Sequence, residues 1–208
     1  MSKELELARK LVAELEKKER KQKVQLGSLK PGETFKIGEY DFIVLAHEYS
    51  LLTSGGYSTT KVISKNFMKK NVVFDNNCRD YSNSNLRKVL EKEILPVIVK
   101  EVGASNLVAH TVDLRSVDMQ KEFEPCECLV RPLTFDEVRE YNDLLVNNEL
   151  SDWWWTCTPW STEERGWKYG IAVVSPSGNV SDLYCISRLG VRPFCILKSN
   201  IFVSEEEE

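Results

Sequence analysis

The sequence is poor in the residues from which active sites are usually built. Among 208 residues there are only two histidines, His47 and His110. There is no His-Glu-x-x-His, no Gly-x-Ser-x-Gly, no phosphate loop and no dinucleotide fingerprint. Six cysteines occur without a single Cys-x-x-Cys pair, and Cys126-Glu127-Cys128 has no histidine close by in sequence to complete a metal site. Free, largely buried thiols are therefore expected, with no metal and no cofactor. No basic stripe stands out beyond the N-terminus and the net charge is −4, which disfavours general nucleic-acid binding, since phosphate neutralisation needs clustered Lys and Arg. No apolar run approaches a membrane span, and no signal-peptide core follows Met1-Ser2-Lys3-Glu4. The expectation is a cytoplasmic or virion-associated protein that does not insert into membranes.

What is present is ordinary for a folded chain: 42% hydrophobic and 29% charged residues. Three segments are expected. Residues 1–26 carry an amphipathic helix from Lys3 to about Lys23, with Ala8, Leu11, Val12 and Leu15 as its apolar stripe. That stripe suits either packing on its own domain or a small homo-oligomerisation handle. Residues 27–203 form the domain, and residues 204–208 an acidic tail.

Within the domain, Phe35 and Ile37, a Gly38-Glu39 turn and the apolar run Tyr40–Leu45 predict an opening β-hairpin. A short strand is expected at Val62-Ile63 or Val72-Val73-Phe74. Leu86, Val89, Leu90 and Ile94 are spaced for one buried helical face, with Pro96 kinking or restarting that helix and Gly103 closing it. Leu129-Val130 reads as core strand. Thr134 and Glu137 spell a capping box, Leu133 and Val138 a hydrophobic staple, and Phe135, Val138, Tyr141 and Leu145 the inward face of the helix they start. Beyond Leu150 strands and turns follow: 153–158, 170–174, a turn at 175–178, 180–186 and 191–197. Hairpin, helices, then antiparallel strands make an α+β pattern.

The aromatic residues gather late in the chain. Period two sends Trp153 and Trp155 to one side of their strand and Trp154 to the other. Trp160 and Trp167 bracket a loop too polar to bury. Trp160, Arg165, Trp167, Tyr169, Tyr184 and Arg188 are expected on one exposed face, with Glu163 and Glu164 at its rim. Such a face suits a protein or glycan ligand, because Trp, Tyr and Arg dominate interface energetics. A catalytic alternative would have to use His110 with Asp113, or Cys157 beside the tryptophans.

Trp154-Trp155-Thr156-Cys157-Thr158-Pro159, Ser177-Gly178-Asn179-Val180 and Gly190-Val191-Arg192-Pro193 resemble the C-terminal signature of an uncharacterised family of Firmicutes and their phages. Lys30-Pro31-Gly32 and Asn85-Leu86-Arg87 are similar to that family's opening hairpin and helix start. The resemblance runs from about Leu29 to Val203 and implies a phage or mobile-element association without an assigned activity. More distantly, the same pattern resembles bacterial C-type-lectin-like domains, including formylglycine-generating-enzyme-like folds and retroelement target proteins. That likeness implies terminal strands that meet, two helices beneath, and a ligand surface on late strands and loops. It also implies a strand near 191–197 paired with 42–45, and a buried, paired Arg192. The calcium-site patterns of sugar-binding lectins are missing. The resulting expectation is a non-catalytic binding module, with a structural virion or assembly component as the alternative.

Overall fold

The computed structural model describes residues 5, 9, 10, 23–49 and 57–205. The expected N-terminal helix lies outside these residues except for Leu5, Arg9 and Lys10, which are helical. No described helix is long and apolar enough to cross a membrane.

The chain is α+β. Its first half carries β1 (Lys23–Gln25), β2 (Thr34–Ile37), β3 (Tyr40–Tyr49), β4 (Tyr57–Ser64) and β5 (Lys69–Val73). Helices α1 (Asn85–Val89) and α2 (Leu95–Val102) follow, joined by a wider π-helical turn at Leu90–Ile94. Next come β6 (His110–Val112), β7 (Cys126–Cys128), β8 (Val130–Arg131) and α3 (Phe135–Leu145). The last third is β9 (Trp154–Pro159), β10 (Gly170–Val174), β11 (Val180–Tyr184), β12 (Arg188–Val191), β13 (Phe194–Lys198) and β14 (Phe202–Glu205). They assemble into a seven-stranded sheet, β1-β14-β2-β3-β4-β13-β8, a five-stranded sheet, β11-β10-β9-β12-β5, and the β6-β7 pair.

At the centre of the large sheet, in β3, β4 and β13, both faces are buried, and the residues divide by period two between two apolar clusters. Phe42, Val44, Val62, Cys195 and Leu197 share one cluster with Leu86, Leu90, Ile94 and Ile98 of the α1–α2 stretch. Ile43, Leu45, Ile63, Phe194 and Ile196 share the other with Val138, Tyr141 and Leu145 of α3. This two-sided burial is why these strands read as continuous apolar runs. Trp154 and Trp155, both fully buried, obey the same alternation: Trp155 enters the first cluster and Trp154 the second, with Trp153 packed on the first.

Local chemistry sets the element ends. Gly38, at φ 61°, makes the tight β2–β3 turn. Ser84 caps α1 by accepting from Arg87 N. Pro96 lacks the N–H that would continue the helical ladder, and it sits in the first turn of a restarted helix after the π turn. Gly103, at φ 83°, closes that helix. The capping box forms in full at the start of α3, Thr134 accepting from Glu137 N while the Glu137 carboxylate accepts from Thr134 N at 2.8 Å. Phe135 departs from its expected inward place and is only half-buried, beside the Arg139 guanidinium.

Four expectations are corrected. Residues 191–197 are not one strand: β12 ends at Val191 in the small sheet and β13 begins at Phe194 in the large one. Arg192-Pro193 is the corner between them, because proline cannot donate to a continuing ladder. β13 pairs with β4 and β8 rather than with Phe42–Leu45, since β4 lies between β3 and β13. At the ends of the chain, Lys23–Gln25 is strand, not helix, and Ser204-Glu205 belong to β14 rather than to the tail. β14 lies between β1 and β2, joining the end of the described chain to its beginning.

The corner gives Gly190-Val191-Arg192-Pro193 a physical reading. A Cβ on Gly190 would sit 2.4 Å from the Phe67 ring, so any larger residue there must displace that ring. Val191 is core, and Arg192 is fully buried, donating to Ser64 O at 2.9 Å and Leu145 O at 2.8 Å.

Candidate functional site

The aromatic face is built on Gly170, the first residue of β10. It stands opposite Tyr184 of β11, and its carbonyl accepts from Trp160 N at 2.9 Å. A Cβ at Gly170 would lie 3.2 Å from both Trp160 Cβ and Trp167 Cε3, so the missing side chain is what lets two indoles close over the strand. Those indoles stand 6.1 Å apart and tilted by 56°. Tyr169 and Tyr184 form a second pair, 6.3 Å apart and edge-on. The Asp182 carboxylate also reaches Gly170, on the same side of β11 as Tyr184. Trp160 is half-buried, Trp167 and Tyr169 are each 39% exposed, Tyr184 is 61% exposed and Ile186 57%.

The loop between the tryptophans is fixed by groups far away in sequence. Its own turns are closed by Arg165 N and Trp167 N donating to Thr162 O, and by Gly166 at φ 87°. Arg79, buried to 3% exposure, holds it from below. Its Nε donates to Lys168 O at 2.6 Å, its Nη1 to Ser161 O, and its Nη2 to both Glu122 carboxylate oxygens at 2.9 and 2.7 Å. The bidentate carboxylate compensates the guanidinium for its lost water. Asp118 adds a second clamp, accepting from Ser116 Oγ at 2.5 Å, Ser161 Oγ at 2.7 Å and Arg165 Nη1 at 2.8 Å. The Ser116 and Ser161 hydroxyls and then Arg165 hold its carboxyl down to about 2.

Not every expected residue joins this face. Trp160, Trp167, Tyr169 and Tyr184 come together around Gly170. Arg165 is turned to Asp118, and Glu163 pairs with Lys168 at 3.0 Å, with Glu164 exposed in the same turn. Arg188 sits two strands across from β10, on β12, where its guanidinium donates to Asn71 O at 3.3 Å. Arg79, Asp118 and Glu122 were missed from sequence. They lie in aperiodic segments some 40–90 positions from the loop they hold, and no local pattern announces such a contact.

The catalytic alternatives do not assemble. His110 receives the Arg131 Nε–H on Nε2 at 3.0 Å and has Val108 O 3.2 Å from Nδ1, while Asp113 pairs with Arg115. Burial, then the Arg131 charge, hold His110 below its ordinary value, so it is neutral. Arg131 in turn grips Glu137 with two 2.6 Å bonds and lies 4.4 Å from the Phe194 ring centroid, a structural network beneath the α3 cap. Cys157 is fully buried, its thiol donating to Leu133 O and pushed up to about 12 by that burial. All six cysteines are free. Among the described residues no three His, Cys, Asp or Glu side chains converge as metal ligands.

The fold and this face define an α+β domain with an exposed aromatic surface on a clamped loop. No protein-family model, no curated protein and no solved structure matches the chain.

Proposed function

We propose that this chain is a non-catalytic binding module that contacts a protein or glycan through the Trp160–Trp167 and Tyr169–Tyr184 face. The observation that carries this reading is that four aromatic rings stay at least partly solvent-accessible, three on or beside a loop held by Arg79 and Asp118 and Tyr184 on the adjoining β11. Aromatic rings immobilised before binding lose little conformational entropy on contact, so their apolar area converts efficiently into affinity. The carboxylates of Glu163 and Asp182 and the ammonium of Lys168 supply hydrogen bonds around the rings.

Within this proposal the domain is C-type-lectin-like and belongs with a phage or mobile element. The meeting of β1, β14 and β2 and the placement of the face on late strands favour that architecture. The place of β4 between β3 and β13 departs from the strand pairing that this likeness implies.

The test is the double variant Trp160→Ala/Trp167→Ala, assayed against a glycan array and by pull-down from host lysate followed by identification of the captured protein. Expected is loss of whichever partner the wild type captures, with stability changed by less than about 1 kcal/mol. Unfolding with losses nearer about 3–5 kcal/mol per ring would make the tryptophans packing residues and remove the proposal's support.

A further inference from the structure

Cys126 and Cys128 stand two positions apart on β7, which places both side chains on one face of the strand. Their sulfurs are 3.8 Å apart. Cys126 is half-buried while Cys128 is buried behind it. The Arg87 guanidinium reaches the same strand, donating to the carbonyl of the intervening Glu127 at 3.1 Å. Beside Cys128 a cavity of about 260 Å³ opens, lined by Glu91, Leu95, Ala109 and Leu129. Among the described residues β7 pairs only with β6, so its geometry is constrained by one neighbour rather than two.

We infer that Cys126 and Cys128 form a dithiol exchange site whose substrate class is a small-molecule disulfide. Cys126 is the attacking thiol and Cys128 the resolving one. A Cys126 thiolate attacks one sulfur of RSSR; a Cys126–SR bond forms, the S–S bond breaks and RS⁻ leaves. Cys128 gives its proton to solvent, its sulfur attacks Cys126 Sγ, and the second RS⁻ departs. Both cysteine sulfurs are oxidised to one disulfide, and RSSR is reduced to two RSH that carry the two protons. The thiol of Cys128, hydrogen-bonded to Cys126, together with the Arg87 charge, holds the Cys126 thiol below its ordinary value, while the same contact and burial push Cys128 up.

The geometry also sets how long the product lasts. Residues two apart in an extended strand have Cα atoms roughly 6.6–6.8 Å apart, at the outer limit of about 4.4–6.8 Å for disulfides. Most disulfides sit nearer about 5.5–6 Å, so the bond closes at the long end of its range and is the kind more easily reduced, as regulatory disulfides are.

Cys78 provides an internal control. It too is half-buried, but burial pushes its thiol up, and the hydrogen bonds of its sulfur run to the Asp80 backbone rather than to a second thiol. The full chain is incubated with excess oxidised glutathione, quenched in acid, blocked with N-ethylmaleimide and mapped by peptide mass. Expected is loss of two hydrogens from the peptide carrying Cys126 and Cys128, reversed by mild reductant, while Cys78 is blocked by maleimide. In Cys128→Ser a glutathione adduct should be trapped on Cys126. Equal reaction of Cys78 and Cys126 would overturn the assignment, as would a wild-type adduct that never closes or a Cys126 that stays reduced. The wild-type map decides this even if the variant does not fold.

Discussion

The guanidinium of Arg192 lies over the indole of Trp154, its Cζ 5.1 Å from the ring centroid, and both side chains are fully buried. Among the described residues no carboxylate accompanies this charge. The carbonyls of Ser64 and Leu145 and the π face of Trp154 do the stabilising, and Nη2 is left without a hydrogen-bond partner. Burial alone lowers the guanidinium to about 10. The burial that the lectin-like likeness implied for Arg192 is there, but backbone carbonyls stand in place of a charged partner, where the chain crosses from the small sheet to the large one. Arg192→Lys replaces a planar fork, whose Nε and Nη1 serve the two carbonyls, with a single point charge on a different stem. It should cost about 2–4 kcal/mol, given about 1.5–3 kcal/mol per bond to a charged group. Urea unfolding would show this as a lower midpoint at unchanged slope; a shift under about 0.5 kcal/mol would mean the two bonds contribute nothing.

Gly190→Ala should be among the most damaging small changes. The new methyl would meet the Phe67 ring at 2.4–2.6 Å, and strand pairing on both sides limits backbone retreat. Overpacking of this kind costs about 1–3 kcal/mol or more. A calorimetric melting temperature within a degree of wild type would contradict the close approach.

The hydroxyl of Tyr81 is buried with no hydrogen-bond partner. With no protein partner among the described residues it contributes no hydrogen bond to the fold, so Tyr81→Phe should leave stability unchanged or raise it by up to about 1 kcal/mol. A clear loss would reveal a partner for that oxygen.

Asp118 gives the aromatic loop an acid limit. Its folded value, about 2, is below the ordinary 3.8, so its contribution is present above about pH 4 and disappears as pH falls toward 2. Asp118→Asn should therefore be less stable than wild type at pH 7, with the difference shrinking from pH 4 and vanishing near pH 2. A difference constant with pH would show that its charge is not what matters.

Arg79→Ala removes the anchor beneath the loop. Amide exchange over residues 161–169 should accelerate at least about tenfold, while that of the α3 core stays slower, because the loop opens without the whole domain. Uniform acceleration would show that Arg79 stabilises the fold rather than the loop.

Local and periodic features were legible in advance. The Gly38 turn, the Thr134–Glu137 capping box, the restart at Pro96 and the opposite facing of Trp154 and Trp155 each depend on residues within a few positions of one another. Such neighbours interact in any fold that lets the element form. Which strands became neighbours was decided by tertiary structure. Residues 191–197 looked like one apolar strand because burial on either sheet demands the same composition, and the chain turns where Pro193 cannot continue the ladder and Arg192 docks between two carbonyls. The aromatic candidates were found from composition and spacing. The clamp that orders them was not, because Arg79 reaches Lys168 across 89 positions and a charged residue in a loop carries no periodic signature. Sequence determined what each segment could become; desolvation of Arg79 and Arg192, each needing fixed acceptors once buried, decided where those segments had to meet.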